Sequence, residues 1–599
     1  MPTLSARFPS FQLGLLKPTL EREGIPVQPL SLYMYFGGFV GWQVNEALAD
    51  VYASMVGEWI WTRAAFGDFA SEQKYFDIYR NNLEGICAQA GCSLSDLTLI
   101  RDKRALEFID FCLESIDWTR FGLIGFSVVF QQTLASVALA KALKQRYPDL
   151  PIIMGGASFE DDIAEELMRG CPEIDYVHCG DADETLPTLV RKIYQKESLQ
   201  GLPGVMWRAD GQISYAGRAP NLSDMNKTPV PDFDEYFYAR GEGGYDQSNV
   251  AQDVMLPIET ARGCWWGVKN HCTFCGLNRA GMAFRAKRVD DVIDQLDTLS
   301  QRYGILYFNA IDNIIAPEYI DELFGKLSEA KTDIRLHYEV RPSLNRAQLK
   351  HMRQGGLFSI QPGVESLSTH ILKLMRKHTT GMRNLELIKW CTYYGINNLY
   401  NILLRFPGET LEDYQVQCEI IPRLHHLQPP WAIAKARADR GSPMYTEPET
   451  QSVRRLVPTA CYEFLFPKGF DLQKISYYFD HEMGDTLEDN EYNAIFDAVD
   501  VWQERWRQRP RPHLTYRKAW RTIIIEDGRN CSTQVAKYSD SHAALYEYCM
   551  DARSQKDIAD KFDGAPWITG AIEEFEQKQL MVHLDNRYLS LALPENPNF

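Results

Sequence analysis

Apolar positions along this 599-residue chain change their period several times. Residues 1–120 are mostly helical in pattern. Leu13, Leu15, Leu16 and Leu20 precede Gly24-Ile25-Pro26-Val27, which predicts a helix running into a strand. The stretch 44–76, with Trp59, Trp61 and Phe66, reads as packed helices rather than a cofactor box. From residue 121 the pattern changes. A continuous apolar run at 121–130 is followed by an amphipathic helix at 133–146. A second apolar strand, 150–154, ends in Gly155-Gly156. A helix at 161–169 leads to a third strand, 176–180, and to a helix opening near Asp183-Glu184. Fully apolar strands alternating with helices predict an α/β fold with a doubly wound parallel sheet. Gly156 and Gly180 fall at strand C-termini, where open α/β sheets bind ligands.

Residues 203–250 are rich in Asp, Asn, Pro and Tyr and read as a linker. A second alternation begins near 254. Strand candidates are 254–259, 305–309, 334–340, 358–364, 398–404 and 431–436, with helices such as 289–302, 318–329 and 384–394 between most of them. About six buried strand–helix units predict a partial (β/α)6 barrel of the TIM type. Residues 451–520 read as helix and linker. At the end, strand-like 521–525 and 532–538 flank Asp527-Gly528. Helices at 541–550, 554–562 and 568–578 precede a strand pair, 581–583 and 588–593, around Asp585-Asn586. Three helices and a terminal hairpin make a winged-helix-like α+β pattern. The expected divisions are 1–205, a linker at 206–250, 251–450, a helical and linker region at 451–519, and 520–599.

Length alone asks for three or four domains. A formal charge of −17 disfavours nucleic-acid binding through a basic surface. The basic strip from Arg505 to His513, with Arg517 and Lys518, reads as a solvated linker. The 13 cysteines are odd in number and irregular outside 264–275. They suit a reducing cytoplasm rather than a disulfide framework. The start, Met-Pro-Thr-Leu-Ser-Ala-Arg, has no basic and apolar signal pattern, and no apolar run approaches the ~18 residues of a membrane span.

The strongest chemistry is Cys264-x7-Cys272-x2-Cys275, just after the first strand of the second alternation. A closed zinc site wants four ligands. A cubane iron–sulfur cluster on three thiolates leaves one iron open. His271, the only candidate fourth zinc ligand in the motif, directly neighbours Cys272 and is poorly placed to share a metal with it. With Phe274 before the last cysteine and Gly276 after it, the loop resembles that of the radical S-adenosylmethionine enzymes. The resemblance implies a [4Fe–4S] cluster whose open iron takes S-adenosylmethionine, and one-electron cleavage to a 5′-deoxyadenosyl radical. The usual first gap is three residues. The longer gap, with Arg262-Gly-Cys-Trp-Trp-Gly267 and His271-Cys-Thr-Phe-Cys-Gly-Leu-Asn278, resembles the branch that matures ribosomally made peptides. Gln361-Pro-Gly-Val-Glu365-Ser366 resembles the fourth-strand motif of that superfamily. Leu404-Arg405-Phe-Pro-Gly-Glu409-Thr410 resembles its fifth-strand motif, with Arg405 in place of the first glycine. The resemblance implies that Phe274, Asn309, Glu339, Arg341, Gln361 and Glu365 border S-adenosylmethionine. Taken singly, charged residues at strand ends are as often helix caps or surface ion pairs.

The earlier sheet resembles a Rossmann-like cobalamin-binding domain; taken alone, it is better read as a flavodoxin-like sheet with another ligand or none, and only its coupling to the radical S-adenosylmethionine motifs favours cobalamin. The resemblance implies that Ser127, Gln132 and Thr133 approach the corrin and that Gly155 and Gly156 line the nucleotide tail. Gly180 and Glu184 complete that set. The first histidine is His178, so the Asp-x-His-x-x-Gly motif that ligates cobalt in many cobalamin proteins is absent from the expected region. Cobalt without that ligand suits methyl transfer. The implied activity is C-methylation of a precursor peptide or amino-acid-like substrate, with flavodoxin or ferredoxin as electron donor and neither nucleic acid nor membrane as partner. The rivals are polar methylation of an sp² carbon such as an indole, a non-methylating radical rearrangement, and a non-catalytic sensor. The acidic helix 568–578 disfavours DNA, leaving a peptide-recognition element or a capping domain at the C-terminal end.

Overall fold

The computed structural model describes residues 1–49, 53–209, 211–249, 251–278, 281–530 and 532–597. The chain divides into two compact units. The first comprises residues 1–260, 285–307 and 457–480; the second comprises 261–284, 308–456 and 481–599.

The first unit is built on a five-stranded sheet: β1 (Ile124–Ser127), β2 (Ile152–Gly155), β3 (Tyr176–His178), β4 (Val205–Ala209) and β5 (Gln212–Tyr215), in that spatial order. β1, β2 and β3 are parallel, while β4 and β5 are antiparallel additions. The order is monotonic. It lacks the reversal of a doubly wound sheet, and so lacks a topological switch point. Helices Thr133–Arg146 and Asp161–Gly170 carry the parallel crossovers. β4 and β5 lie two residues apart in the sequence, a spacing short enough only for antiparallel neighbours. The linker expected at 206–250 therefore carries sheet, and it also holds the helix Asp234–Glu242. Its polar composition marks turns between short elements.

The pleat of β2 divides its side chains between two cores. Ile152 and Met154 join a cluster that includes Trp59, Phe108 and Leu139; Ile153 joins Leu20, Leu189 and Val205 on the other face. The aromatic stretch near the N-terminus is packed core, as its pattern predicts. Trp59 stacks on Tyr75 at 4.8 Å, and the Arg101 guanidinium lies 4.5 Å over the Trp59 ring.

The second unit holds a run of parallel strands. Arg335–Val340 pairs with Leu357–Pro362, which pairs with Asn397–Asn398; Asn401–Leu404 pairs with Ala432–Lys435. The expected strand at 398–404 is interrupted where its neighbours change. Leu399 N donates to Ile360 O at 2.8 Å, and Trp431 N donates to Tyr400 O at 2.6 Å. Residues 451–519, expected as helix and linker, include the strands Val453–Pro458 and Tyr478–Met483 besides the helix Asn493–Arg507.

At the C-terminal end, Leu514–Lys518, Thr522–Asp527 and Gln534–Ser539 form an antiparallel meander, the first of these strands unforeseen. Helices Asp540–Tyr548, Gln555–Lys561 and Trp567–Gln577 follow, then the hairpin Met581–Leu584 with Arg587–Ser590. Asp585 and Asn586 both take positive φ, 54° and 57°, as a two-residue hairpin turn requires. Among the described residues no helix is long and apolar enough to cross a membrane.

Buried Lys389, on the helix Gly381–Tyr394, anchors this end. Its Nζ donates to the carbonyls of Met550 and Ser590, each at 2.7 Å, and lies 4.5 Å over the Trp390 ring. Burial lowers its pKa to about 7. Lys389→Met strands both carbonyls in an apolar setting and should cost about 2 kcal/mol. Limited proteolysis should then release a fragment beginning near residue 514 sooner than in the wild type. Unchanged release kinetics would remove Lys389 from this role.

Candidate active site

The cysteine loop is shaped by its backbone. Gly263 takes φ +81°, and a Cβ there would lie 2.4 Å from Ala283 O, so the approach to Cys264 requires glycine. Cys264 N donates to Met282 O at 3.2 Å, and its Sγ accepts from Gly267 N at 3.3 Å at the start of the helix Trp265–Lys269. The Cys272–Cys275 turn closes with Cys275 N donating to Cys272 O at 3.1 Å. Two outside segments grip it: Thr273 N donates to Met375 O, and Thr273 O accepts from Met444 N. His271 Nε2 lies 2.8 Å from Cys275 O, so the ring is committed to the backbone of its own loop.

All three cysteines are free and partly buried. Burial raises the Cys272 thiol and pushes Cys275 up to about 12, and Cys264 raises both; Lys377 opposes the rise at each. Two buried donors in this loop, Trp266 Nε1 and Thr273 Oγ1, have no hydrogen-bond partner among the described residues. Among the described residues no three His, Cys, Asp or Glu side chains converge on a single metal ion. Three clustered thiols with unmatched donors and cations beside them fit a multinuclear cluster, whose sulfurs accept hydrogen bonds.

The strand ends surround this loop with charge. Glu339 and Gln361 are register partners on adjacent strands. Burial, then Asp312 and Glu365, raises the Glu339 carboxyl to about 7, with Lys377 opposing. Gln361 is exposed, and Asn309 is half-buried on Tyr307–Ala310. Glu365 has φ +56° and bonds Lys377 Nζ at 3.1 Å. Arg341 lies 3.4 Å over the Trp266 ring and donates to Lys377 O at 3.0 Å. Phe274 meets Phe406 edge-on at 5.9 Å and Lys377 Nζ at 5.7 Å. Lys377, Trp266 and His378 thus belong to the neighbourhood, although the strand-end reading passed over them. A late clue was present in Arg376-Lys377-His378, a charged run directly after a short helix.

Arg405 confirms that its position asks for glycine, since it takes φ +72°. Buried Glu409 holds the turn in place. Its Oε2 accepts from Arg405 N and Phe406 N, each at 3.0 Å, and from the Tyr414 hydroxyl; its Oε1 accepts from the Tyr492 hydroxyl. This motif glutamate is a structural clamp. Glu409→Ala would leave two amides and two tyrosine hydroxyls, three of these donors buried, without their acceptor and should cost on the order of 3 kcal/mol. A substantially lower melting temperature is expected, and a wild-type melt would refute the clamp.

In the first unit, Ser127 and Gly155 are register partners at the ends of β1 and β2. Gly156 takes φ +101°, and a Cβ there would lie 2.5 Å from Val128 O. Gly180 takes φ +95° and packs against Ala219. These glycines first serve close backbone packing at the strand ends. Glu184 is exposed beside the helix Thr185–Gln195. Gln132 departs from expectation: it is buried, its Nε2 donates to Met1 O at 2.8 Å, and its Oε1 accepts from Val129 N. Both ends of that amide are occupied, so it shapes the loop from behind. Thr133 N donates to buried Glu58, whose carboxyl burial raises to about 7. His178 is buried against Thr185 Oγ1 at 2.6 Å, and burial lowers its pKa to about 4.

A B12-binding domain model matches residues 70–190, and a radical SAM superfamily model matches residues 258–416. An uncharacterized methyltransferase of Pyrococcus horikoshii is 22% identical over 351 residues, covering 55% of this chain and 72% of that protein. The cobalamin-dependent S-adenosylmethionine radical enzyme OxsB, solved with aqua-cobalamin and S-adenosylmethionine bound, superposes with a TM-score of 0.50 at 17% identity. That match covers 66% of this chain and 60% of OxsB. The radical S-adenosylmethionine methyltransferase TsrM from Kitasatospora setae, solved with cobalamin and a [4Fe–4S] cluster, gives a TM-score of 0.50 at 15% identity, covering 68% and 85%. Residues 70–190 thus match a B12-binding domain and residues 258–416 a radical SAM domain, and the cofactors of this pair of domains are cobalamin, S-adenosylmethionine and a [4Fe–4S] cluster.

Proposed function

We propose that this enzyme transfers a methyl group to a carbon of a peptide or amino-acid-like substrate during maturation of a peptide natural product. The observation that carries the reading is the set of three free thiols on one loop at the strand ends of a radical SAM domain, in a chain that also has a B12-binding sheet. Cys264, Cys272 and Cys275 hold the cluster. When bound, the cofactors supply a hydrogen-abstracting radical and a transferable methyl group. Glu339, whose carboxyl is near neutrality, and Glu365 offer acceptors to an ammonium group. Phe274, Asn309, Arg341 and Gln361 complete that wall of what we take to be a partial barrel. Ser127, Thr133, Gly155, Gly156, Gly180 and Glu184 border cobalamin.

The C-terminal elements suit a winged-helix-like peptide-recognition module. Gln534–Ser539 is an edge strand with Val535 exposed, to which a peptide can add as a further strand. The helix Trp567–Gln577 carries Glu573, Glu574 and Glu576 and no basic residue, which suits a peptide better than DNA. A flavodoxin or ferredoxin as electron donor and a cytoplasmic setting complete the proposal.

Anaerobic reconstitution with iron, sulfide and hydroxocobalamin should give about four irons per chain and a corrin spectrum. The triple Cys264→Ala/Cys272→Ala/Cys275→Ala variant should lose the iron; retained iron refutes the ligand assignment. With substrate, 5′-deoxyadenosine should form in step with methylated product. Methylation without it would indicate the polar route at an sp² carbon, and specific DNA binding without turnover would replace the enzymatic reading with a sensor.

A further inference from the structure

Two cations brace the cysteine loop from outside it. The Lys377 side chain is 13% exposed; its Nζ lies 3.1 Å from Glu365 Oε1 and 5.7 Å from the ring of Phe274, the residue just before Cys275. Arg341 lies 3.4 Å over Trp266, two residues after Cys264, and its guanidinium donates to Lys377 O at 3.0 Å. His378 meets the same Trp266 ring edge-on at 5.4 Å. The short segment carrying Lys377 is therefore tied to both halves of the cysteine motif. Such a brace has an electrostatic consequence. A cubane held by three thiolates carries net negative charge, and one-electron reduction adds to it. Cluster potentials follow net charge, hydrogen bonding and solvent exposure. A cation in a poorly solvated place stabilises the more negative state, and an anion there opposes it.

We propose that the Lys377–Glu365 ion pair sets the reduction potential of the cluster, Lys377 favouring the reduced state and Glu365 restraining it. Lys377 is a positioning residue here: it acts on the cluster through its charge and through the loop that it braces. The inference rests on the cluster assignment to Cys264, Cys272 and Cys275. Burial works against the Lys377 ammonium, but Glu365 and Cys272 raise its pKa, so it enters this pair charged.

The test uses the full chain, reconstituted anaerobically without S-adenosylmethionine and titrated with dithionite while the reduced cluster is followed by electron paramagnetic resonance. Lys377→Met should move the midpoint potential negative, Lys377→Arg should restore it towards wild type, and Glu365→Gln should move it positive. Opposite shifts from the two partners are the signature, because a pair that merely holds the loop together would alter iron content or melting without opposed potentials. Wild-type potentials in both Lys377→Met and Glu365→Gln at full iron content, or shifts of the same sign, overturn the proposal. If Lys377→Met fails to retain iron, Glu365→Gln decides: a positive shift supports the proposal, and an unchanged or negative one overturns it. Failure of the underlying assignment looks different: the wild-type chain then binds no iron, or the triple alanine variant keeps it.

Discussion

An ionisable group taken out of water must find compensating hydrogen bonds or an opposite charge, or its cost exceeds what packing returns. This constraint organises each unit. In the first, buried Glu58 accepts from Thr133 N and Leu134 N and so fixes where the helix after β1 begins. In the second, Lys389 ties a helix of the parallel-strand region to carbonyls at Met550 and Ser590. Glu409 closes the turn after Asn401–Leu404 by accepting from two amides and two tyrosines. Each joins segments far apart in sequence at a strand end or a domain end. Apolar packing alone would leave those junctions free to slide.

The cysteine loop is a junction of the same kind. Besides its own hydrogen bonds, Met282, Met375 and Met444 hold it by their backbones. Its thiols repel one another once ionised, and burial raises two of them. Arg341 and Lys377 supply the opposing charge, while Trp266 and Thr273 keep unmatched donors close by. A loop preorganised in this way needs little reorganisation to accept negative charge. The widened gap between Cys264 and Cys272 accommodates the helix Trp265–Lys269, which presents Trp266 to Arg341. The seven-residue spacing thereby acquires a structural role.

Much of the architecture was legible because burial imposes period. The apolar strands of both sheets, the helices between them and the closing hairpin at Asp585-Asn586 all appear within a few residues of expectation. Where strands were short, the period had too few repeats to register, as at β4, β5 and Leu514–Lys518. Arg405 shows the opposite case. The motif position implied a backbone suited to glycine, and the arginine there does take φ +72°.

By itself, the sequence determined which residues carry the chemistry: three cysteines with one short gap, and motif residues in fixed order behind them. Those follow from residue type and local spacing. Only the tertiary structure decided the strand order of the first sheet, the inward turn of Gln132 and the pairing of Lys377 with Glu365. It also showed Glu409 to be a clamp. The reason is physical. Local sequence governs period and turn geometry, whereas a buried polar group can be satisfied by any partner the fold brings within about 3 Å, however distant in the chain.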